Sequence, residues 1–161
     1  MIKQFLNYID LEKIFSIEED RILLAISAGV DSVVLAHLLK AAGVNFAMAH
    51  CNFKLRAEAS DGDEAFVRIL AEKLKVPFYF TFFETEKIVE ERKSSIQMVA
   101  RDLRYQWLEE LREKQGYDYI ATAHHINDSI ESLLLNLTKG CGIRGIHGIL
   151  PRTESTKRIR P

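Results

Sequence analysis

Cysteine is scarce in this chain: only Cys51 and Cys141 occur in 161 residues, far apart and with no CxxC spacing. Neither a zinc site nor an iron–sulfur cluster is indicated, and two thiols in a reducing cytosol are the plain reading. An excess of either charge is missing as well. With 22 Lys and Arg against 23 Asp and Glu the net charge is −1, so there is no global electrostatic footprint for nucleic acid, and any RNA contact must be local. No apolar run approaches the length of a membrane helix. The opening MIKQFLNYIDLEKIF has an amphipathic helical pattern that includes acids, unlike a signal peptide. A cytoplasmic protein with no membrane partner is expected. There is no internal repeat and no low-complexity tract. The length is that of one domain, which should bury roughly 70% of the unfolded chain's surface.

What is present is alternation. Apolar runs at Ile22–Ile26, Phe46–Ala49, Phe78–Phe83 and Tyr119–Thr122 read as strands. Helical patterns separate them: Asp31–Ala42 ended by Gly43, Ser60–Lys75 ended at Val76-Pro77, and Ser95–Gln115 with Gly116 as C-cap. In the last of these, Ile96, Val99, Leu103, Trp107, Leu108 and Leu111 recur at three-and-four spacing. The fold class expected is α/β, a doubly wound parallel sheet with helices on both faces.

The segment RILLAISAGVDS, followed by VVLAHLL, carries the most chemistry. A strand breaks at Ser27-Ala28-Gly29 and resumes as a helix, which aims backbone N–H groups, a helix dipole and the Ser27 and Ser32 hydroxyls at one small volume. Such a junction suits a phosphate or pyrophosphate. The lysine of a P-loop NTPase is missing, and Gly29 stands without the other glycines of a dinucleotide fingerprint. Asp31 admits two readings. It caps the helix that starts there, or it holds Mg²⁺ against phosphate oxygens, since a bare carboxylate would repel them.

Ligands of doubly wound sheets sit beyond the carboxyl ends of the strands. After the second strand come His50, Asn52, Lys54 and Arg56; after the fourth come His124, His125, Asn127, Asp128 and Glu131, in ATAHHINDSIES. Asp128 and Glu131 share one face of a helix's first turn, where the dipole alone would favour acids. A metallo-hydrolase reading of His-His-x-x-Asp lacks a third clear ligand pattern. Arg101 and Arg104 on the long helix either serve the site or form its solvated face, paired with Asp102 and Glu109. Asp61, Asp63 and Glu64 read as helix-start acids, with Ser60 and Asp63 in an N-cap arrangement.

SAGVDS resembles the SGGxDS loop of the PP-loop ATP pyrophosphatases, with Ala28 in place of the first glycine. Alanine fits there without strain at negative φ. Within that group, ATAHHINDSIES followed by LLLNLTKGCGIRGIHGI resembles the tRNA(Ile)-lysidine synthetases, whose pattern is close to AHHxxDxxET and then GxGxxGLxG. HCNFKLRAEASDGDEAFV resembles their HVNHxLRxxSxxDExFV, and SIQMVARDLRYQWL their SxExxARxxRYxWF. Departures noted are Phe53 for the second histidine, Ser132 for the threonine and Cys141 inside the glycine loop, none of which removes a carboxylate or an arginine.

The resemblance implies an adenine nucleotide alpha hydrolase-like fold and a carbon–nitrogen ligase that uses ATP and Mg²⁺. ATP would adenylate the carbonyl at carbon 2 of the wobble cytidine in isoleucine tRNA with a CAU anticodon, and free lysine would displace AMP. It implies nucleotide binding by Ser27, Ala28, Gly29, Val30, Asp31, Ser32, His50, Asn52 and Arg56, with the metal on Asp31. Catalysis would fall to Asp31, Arg101, Arg104, His125 and Asp128. Substrate contacts would fall to His124, Glu131, Lys139, Gly140, Gly142 and Arg144, where glycines let a backbone approach phosphates beside cations. A homodimer stays open. Residues 1–150 read as the catalytic domain and 151–161 as the start of a linker or extension. Two other readings remain: a PP-loop tRNA thiolation enzyme, which should need a catalytic cysteine or a CxxC, and a non-catalytic ATP-binding module.

Overall fold

The computed structural model describes residues 1–54, 58–123, 152–153 and 157–161. Helix α1 (Ile2–Leu11) leads into β1 (Arg21–Ala25), α2 (Val30–Ala41), β2 (Asn45–Asn52), α3 (Glu58–Leu74), β3 (Phe78–Phe82), α4 (Thr85–Arg92), α5 (Ile96–Gln115), β4 (Tyr119–Thr122), β5 (Arg152–Thr153) and β6 (Arg158–Ile159). One sheet holds the strands in the order β3-β2-β1-β4-β6-β5. All neighbours run parallel except β5 on β6. The expected α/β class is therefore right, with one short antiparallel edge added.

Alternate side chains of the sheet feed two cores, as strand geometry requires. On one face Ile22, Leu24, Phe46, Met48, Tyr119 and Ala121 pack with Phe5 and Ile9 of α1, Leu35 and Leu39 of α2, and Val67 and Leu70 of α3. On the other, Leu23, Ala47, Ala49 and Ile120 pack with Leu108 of α5 and with Tyr117. Helices thus cover both faces. Helix α5 begins and ends where local chemistry says it should. The Ser95 hydroxyl accepts from the Met98 N–H at 3.3 Å, and Gly116 takes the left-handed conformation at φ 70°.

Three features differ from expectation. Strand β2 runs on through His50, Cys51 and Asn52, because their backbones pair with Phe80, Thr81 and Phe82 of β3; His50 and Asn52 are strand residues rather than loop residues. Helix α4 has no counterpart among the predicted elements. Helix α3 starts at Glu58, so Ser60 lies inside it and is not its cap. Residues of 152–153 and 158–159, in the stretch read as a linker or extension, join the sheet, and Ile159 is fully buried. No helix among the described residues is long and apolar enough to cross a membrane.

Candidate nucleotide site

Strand order reverses between β1, which continues to β2 and β3, and its other neighbour β4. A crevice opens there beyond the carboxyl ends of the strands, the usual ligand position in such sheets. It is a cavity of about 760 Å³ that takes in Ser27 and Ser32 after β1, His50 and Asn52 of β2, Thr122 of β4, and Arg101 and Arg104 of α5.

The loop between β1 and α2 is tied to itself. The Ser27 N–H donates to Ser32 Oγ at 3.3 Å, the Ser32 hydroxyl donates to the Gly29 carbonyl at 2.8 Å, and the Gly29 N–H donates to Ser27 Oγ at 3.3 Å. A Cβ on Gly29 would stand 3.2 Å from Ser27 Oγ, so a side chain there would press on this knot. Gly29 is the N-cap of α2, and no side chain caps that end. The N–H groups of a first helical turn have no acceptor within their helix, and the dipole adds positive potential. The end of α2 is thereby suited to an anion.

Ala28 sits at φ 66°, the reverse of the negative φ at which alanine would be free of strain. The turn needs the left-handed conformation whichever residue fills it, and Ala28 also packs on the core beneath. A left-handed alanine costs roughly 1–2 kcal/mol, which offsets what glycine would lose in chain entropy. Ala28→Gly should therefore leave the thermal midpoint unchanged or slightly higher. Ala36→Gly, inside α2 and fully buried, should lower it by several degrees. Equal losses at both positions would mean that the left-handed strain is absent.

His50 is buried, and its Nδ1 donates to the Ile26 carbonyl at 2.9 Å. That bond fixes a proton on Nδ1 and sets the orientation of the ring. Asn52 is buried too, and its Oδ1 accepts from the Lys54 N–H at 2.9 Å. Asp31 occupies the exposed first turn of α2. Among the described residues no three His, Cys, Asp or Glu side chains gather into a metal cage. Mg²⁺ commonly binds through one or two carboxylates plus substrate phosphates, and a single carboxylate beside an anion-binding helix end fits that mode.

Helix α5 forms the opposite wall. The Arg104 guanidinium lies 5.2 Å from the centre of the Phe53 ring, which itself stacks on Phe83 at 5.5 Å. Phe53, which replaces a histidine of the resembled pattern, thus gives Arg104 an aromatic platform. Of the two acids considered as partners for these arginines, Glu109 bridges instead to Arg112 at 2.6 Å, and both arginines are exposed. Sequence reasoning missed several lining residues: Asp63, Gln97, Met98 and Tyr105. By its place in the sequence Asp63 is a helix-start acid only. Gln97 was legible, since the quoted pattern carries glutamate there; it is a further departure, and it does remove a carboxylate.

Ser27, Ser32, His50, Asn52, Arg101 and Arg104 are brought together on this cavity, while Ala28, Gly29, Val30 and Asp31 form the adjoining turn and helix start. Arg56, His124, His125, Asp128, Glu131, Lys139, Gly140, Gly142 and Arg144 lie outside the described residues.

A phosphate-suited helix start at the switch point of a doubly wound sheet, faced by arginines, defines a nucleotide-binding α/β protein. Residues 2–161 match the PP-loop domain family, an ATP-binding family, and the chain belongs to it. Among its relatives, the tRNA(Ile)-lysidine synthase of Bacteroides thetaiotaomicron is 45% identical over 98% of this chain and 37% of its own length. That of Parabacteroides distasonis is 48% identical over 88% of this chain and 33% of its own length. The chain thus spans about a third of these relatives. Among solved structures, the U34-tRNA thiolase of Methanococcus maripaludis with its [4Fe-4S] cluster superposes with a TM-score of 0.71 at 18% identity, over 99% of this chain and 59% of that one. The NH3-dependent NAD synthetase of Campylobacter jejuni does so at 0.58 and 16%, over 82% and 58%. Both share the fold.

Proposed function

We propose that this chain is the catalytic domain of a tRNA(Ile)-lysidine synthase. The observation that carries the reading is the phosphate-suited start of α2 facing Arg101 and Arg104 across one cavity, in a chain up to 48% identical to relatives of that name. In this reading the C2 carbonyl oxygen of the wobble cytidine attacks the α-phosphorus of ATP and the bond to pyrophosphate breaks. The ε-amine of lysine then attacks C2, AMP departs, and one proton passes to a base.

The residues meet these demands in turn. N–H groups of Ala28, Gly29 and Val30, with the Gly29 N–H and the Ser27 and Ser32 hydroxyls released from their bonds within the loop, hold the leaving pyrophosphate. Asp31 would hold Mg²⁺, which supplies neutralisation of the phosphate charge. Arg101 and Arg104 take up charge that develops on the α-phosphate. His50 and Asn52 shape the wall against the nucleotide, and a nucleotide contact by Arg56 rests on the family resemblance alone. His125 or Asp128 accepts the amine's proton. His124, Glu131, Lys139, Gly140, Gly142 and Arg144 contact lysine and tRNA.

A sulfur-transfer reading would need thiolates. Iron–sulfur clusters are commonly held by four, and this chain has two cysteines in all. Burial pushes the Cys51 thiol up to about 12, against a smaller opposing pull from Arg104, so it is a poor nucleophile at neutral pH.

The test is incubation with ATP, Mg²⁺, labelled lysine and isoleucine tRNA bearing the CAU anticodon. ATP-dependent label on the RNA is expected, and it should persist in Cys51→Ser and Cys141→Ser variants. Pyrophosphate release without label, or loss of labelling in a cysteine variant, would overturn the reading.

A further inference from the structure

Three arginines from two distant parts of the chain converge on Tyr105 at the rim of the cavity. The Arg158 guanidinium stacks 3.7 Å from the ring centre and that of Arg101 lies 5.4 Å from it. Arg160 is close enough that Arg158 and Arg101 both press its pKa down, adding to the effect of burial, with Tyr105 acting in the opposite sense. Among the described residues no carboxylate forms an ion pair with Arg101 or Arg158. The Arg158 Nε is buried with no hydrogen-bond partner there. Like charges gathered this closely repel, and a half-buried guanidinium with an unused donor has lost water bonds without replacement. An arrangement of this sort is at its most stable when an anion enters it.

Placement says which anion. Register puts Ile159 beside Ala121 and Arg158 beside Ile120, while Ala121 pairs with Leu24 of β1. The cluster therefore stands two strands from the phosphate loop, about 10 Å to the side at ordinary strand spacing. It shares Arg101 and Tyr105 with the cavity yet lies off the end of α2. We propose that Arg101, Arg158 and Arg160 around Tyr105 form a phosphodiester subsite that grips the RNA backbone beside the base held in the cavity. The subsite rests on the tRNA reading above. Tyr105 serves as its floor, with the Arg158 guanidinium over the ring and that of Arg101 beside it, and guanidinium groups suit phosphate oxygens.

The experiment measures affinity for isoleucine tRNA with the CAU anticodon over a salt series, and affinity for ATP, in the wild-type chain, Arg158→Gln and Arg158→Glu. Arg158→Gln should weaken tRNA binding about tenfold and reduce the slope of log K against log salt by about 1, with ATP affinity held within about twofold. Arg158→Glu should bind tRNA more weakly still. Its thermal midpoint should stay level or rise, because the like-charge repulsion that Arg158 exerts on Arg160 is removed, so lost binding there cannot be blamed on unfolding. Unchanged tRNA affinity and slope in Arg158→Gln would overturn the subsite alone, provided the wild type still labels tRNA with lysine. Loss of ATP affinity in place of tRNA affinity would reassign the cluster to a free nucleotide phosphate and overturn the RNA assignment. A wild-type chain that binds ATP and no tRNA would remove both the subsite and the functional reading.

Discussion

Asp31→Ala should lower ATP-dependent pyrophosphate release by about 10²–10³-fold, a loss on the order of 3–4 kcal/mol of transition-state stabilisation. The reason lies in where the charge sits. Asp31 belongs to the exposed first turn of α2, next to the N–H groups assigned to the phosphates. A carboxylate there repels a polyphosphate unless a divalent cation lies between them. Removing it would take away the ligand proposed for the cation and also the repulsion, so the two effects part company in different measurements. Affinity for ATP without metal should hold or improve, whereas turnover with Mg²⁺ should collapse. Asp31→Asn should behave alike, because an amide keeps the shape and loses the charge. Turnover that survives either change would make Asp31 a helix-start acid and would leave the metal without its ligand.

Leu108→Ala should carry the largest stability cost of the changes considered, about 3 kcal/mol for a fully buried leucine, or roughly 6–12 °C in thermal midpoint for a chain of this size. Leu108 is fully buried against Leu23, Ala47, Ala49 and Ile120. It is the buried α5 side chain of this core, with Tyr105, Trp107 and Leu111 packed around it, and it also reaches the cavity wall. Its loss leaves a void and frees the helix that holds Arg101 and Arg104, so KM for ATP should rise in the folded variant as well. Exposed positions of the same helix make the comparison: Gln106→Ala removes only a surface bond to Glu110 and should shift the midpoint by little. A fall of under about 2 °C in Leu108→Ala would mean that α5 does not depend on this contact.

How far the sequence carries the argument differs from element to element. Ser95 and Gly116 bracket α5 in the sequence and in the structure, because a cap is satisfied by N–H and carbonyl groups within a few residues of it. The strand-to-helix turn at Ser27–Ser32 is legible for the same reason. Ala28 is the exception, since its positive φ is demanded by the turn and its residue type argues the other way. Helix α4 was invisible: TEKIVEER has no apolar stripe. Its start is anchored by the buried Thr85, whose hydroxyl donates to the Phe53 carbonyl 32 residues away at 3.0 Å. The last turns of β2 were missed because His50, Cys51 and Asn52 carry no strand-like alternation; they extend only because β3 lies alongside.

Periodicity, caps and the phosphate turn, all relations over a few residues, let the sequence by itself determine the α/β class and the kind of anion the first loop suits. The tertiary structure alone decided that Arg104 would rest on Phe53, that Glu109 would be taken by Arg112, and that Arg158 would cross 53 residues of chain to stack on Tyr105. Those contacts join segments whose meeting depends on the order of strands in the sheet. Strand order arises from the packing of whole crossovers on both faces at once, which no short stretch of residues encodes.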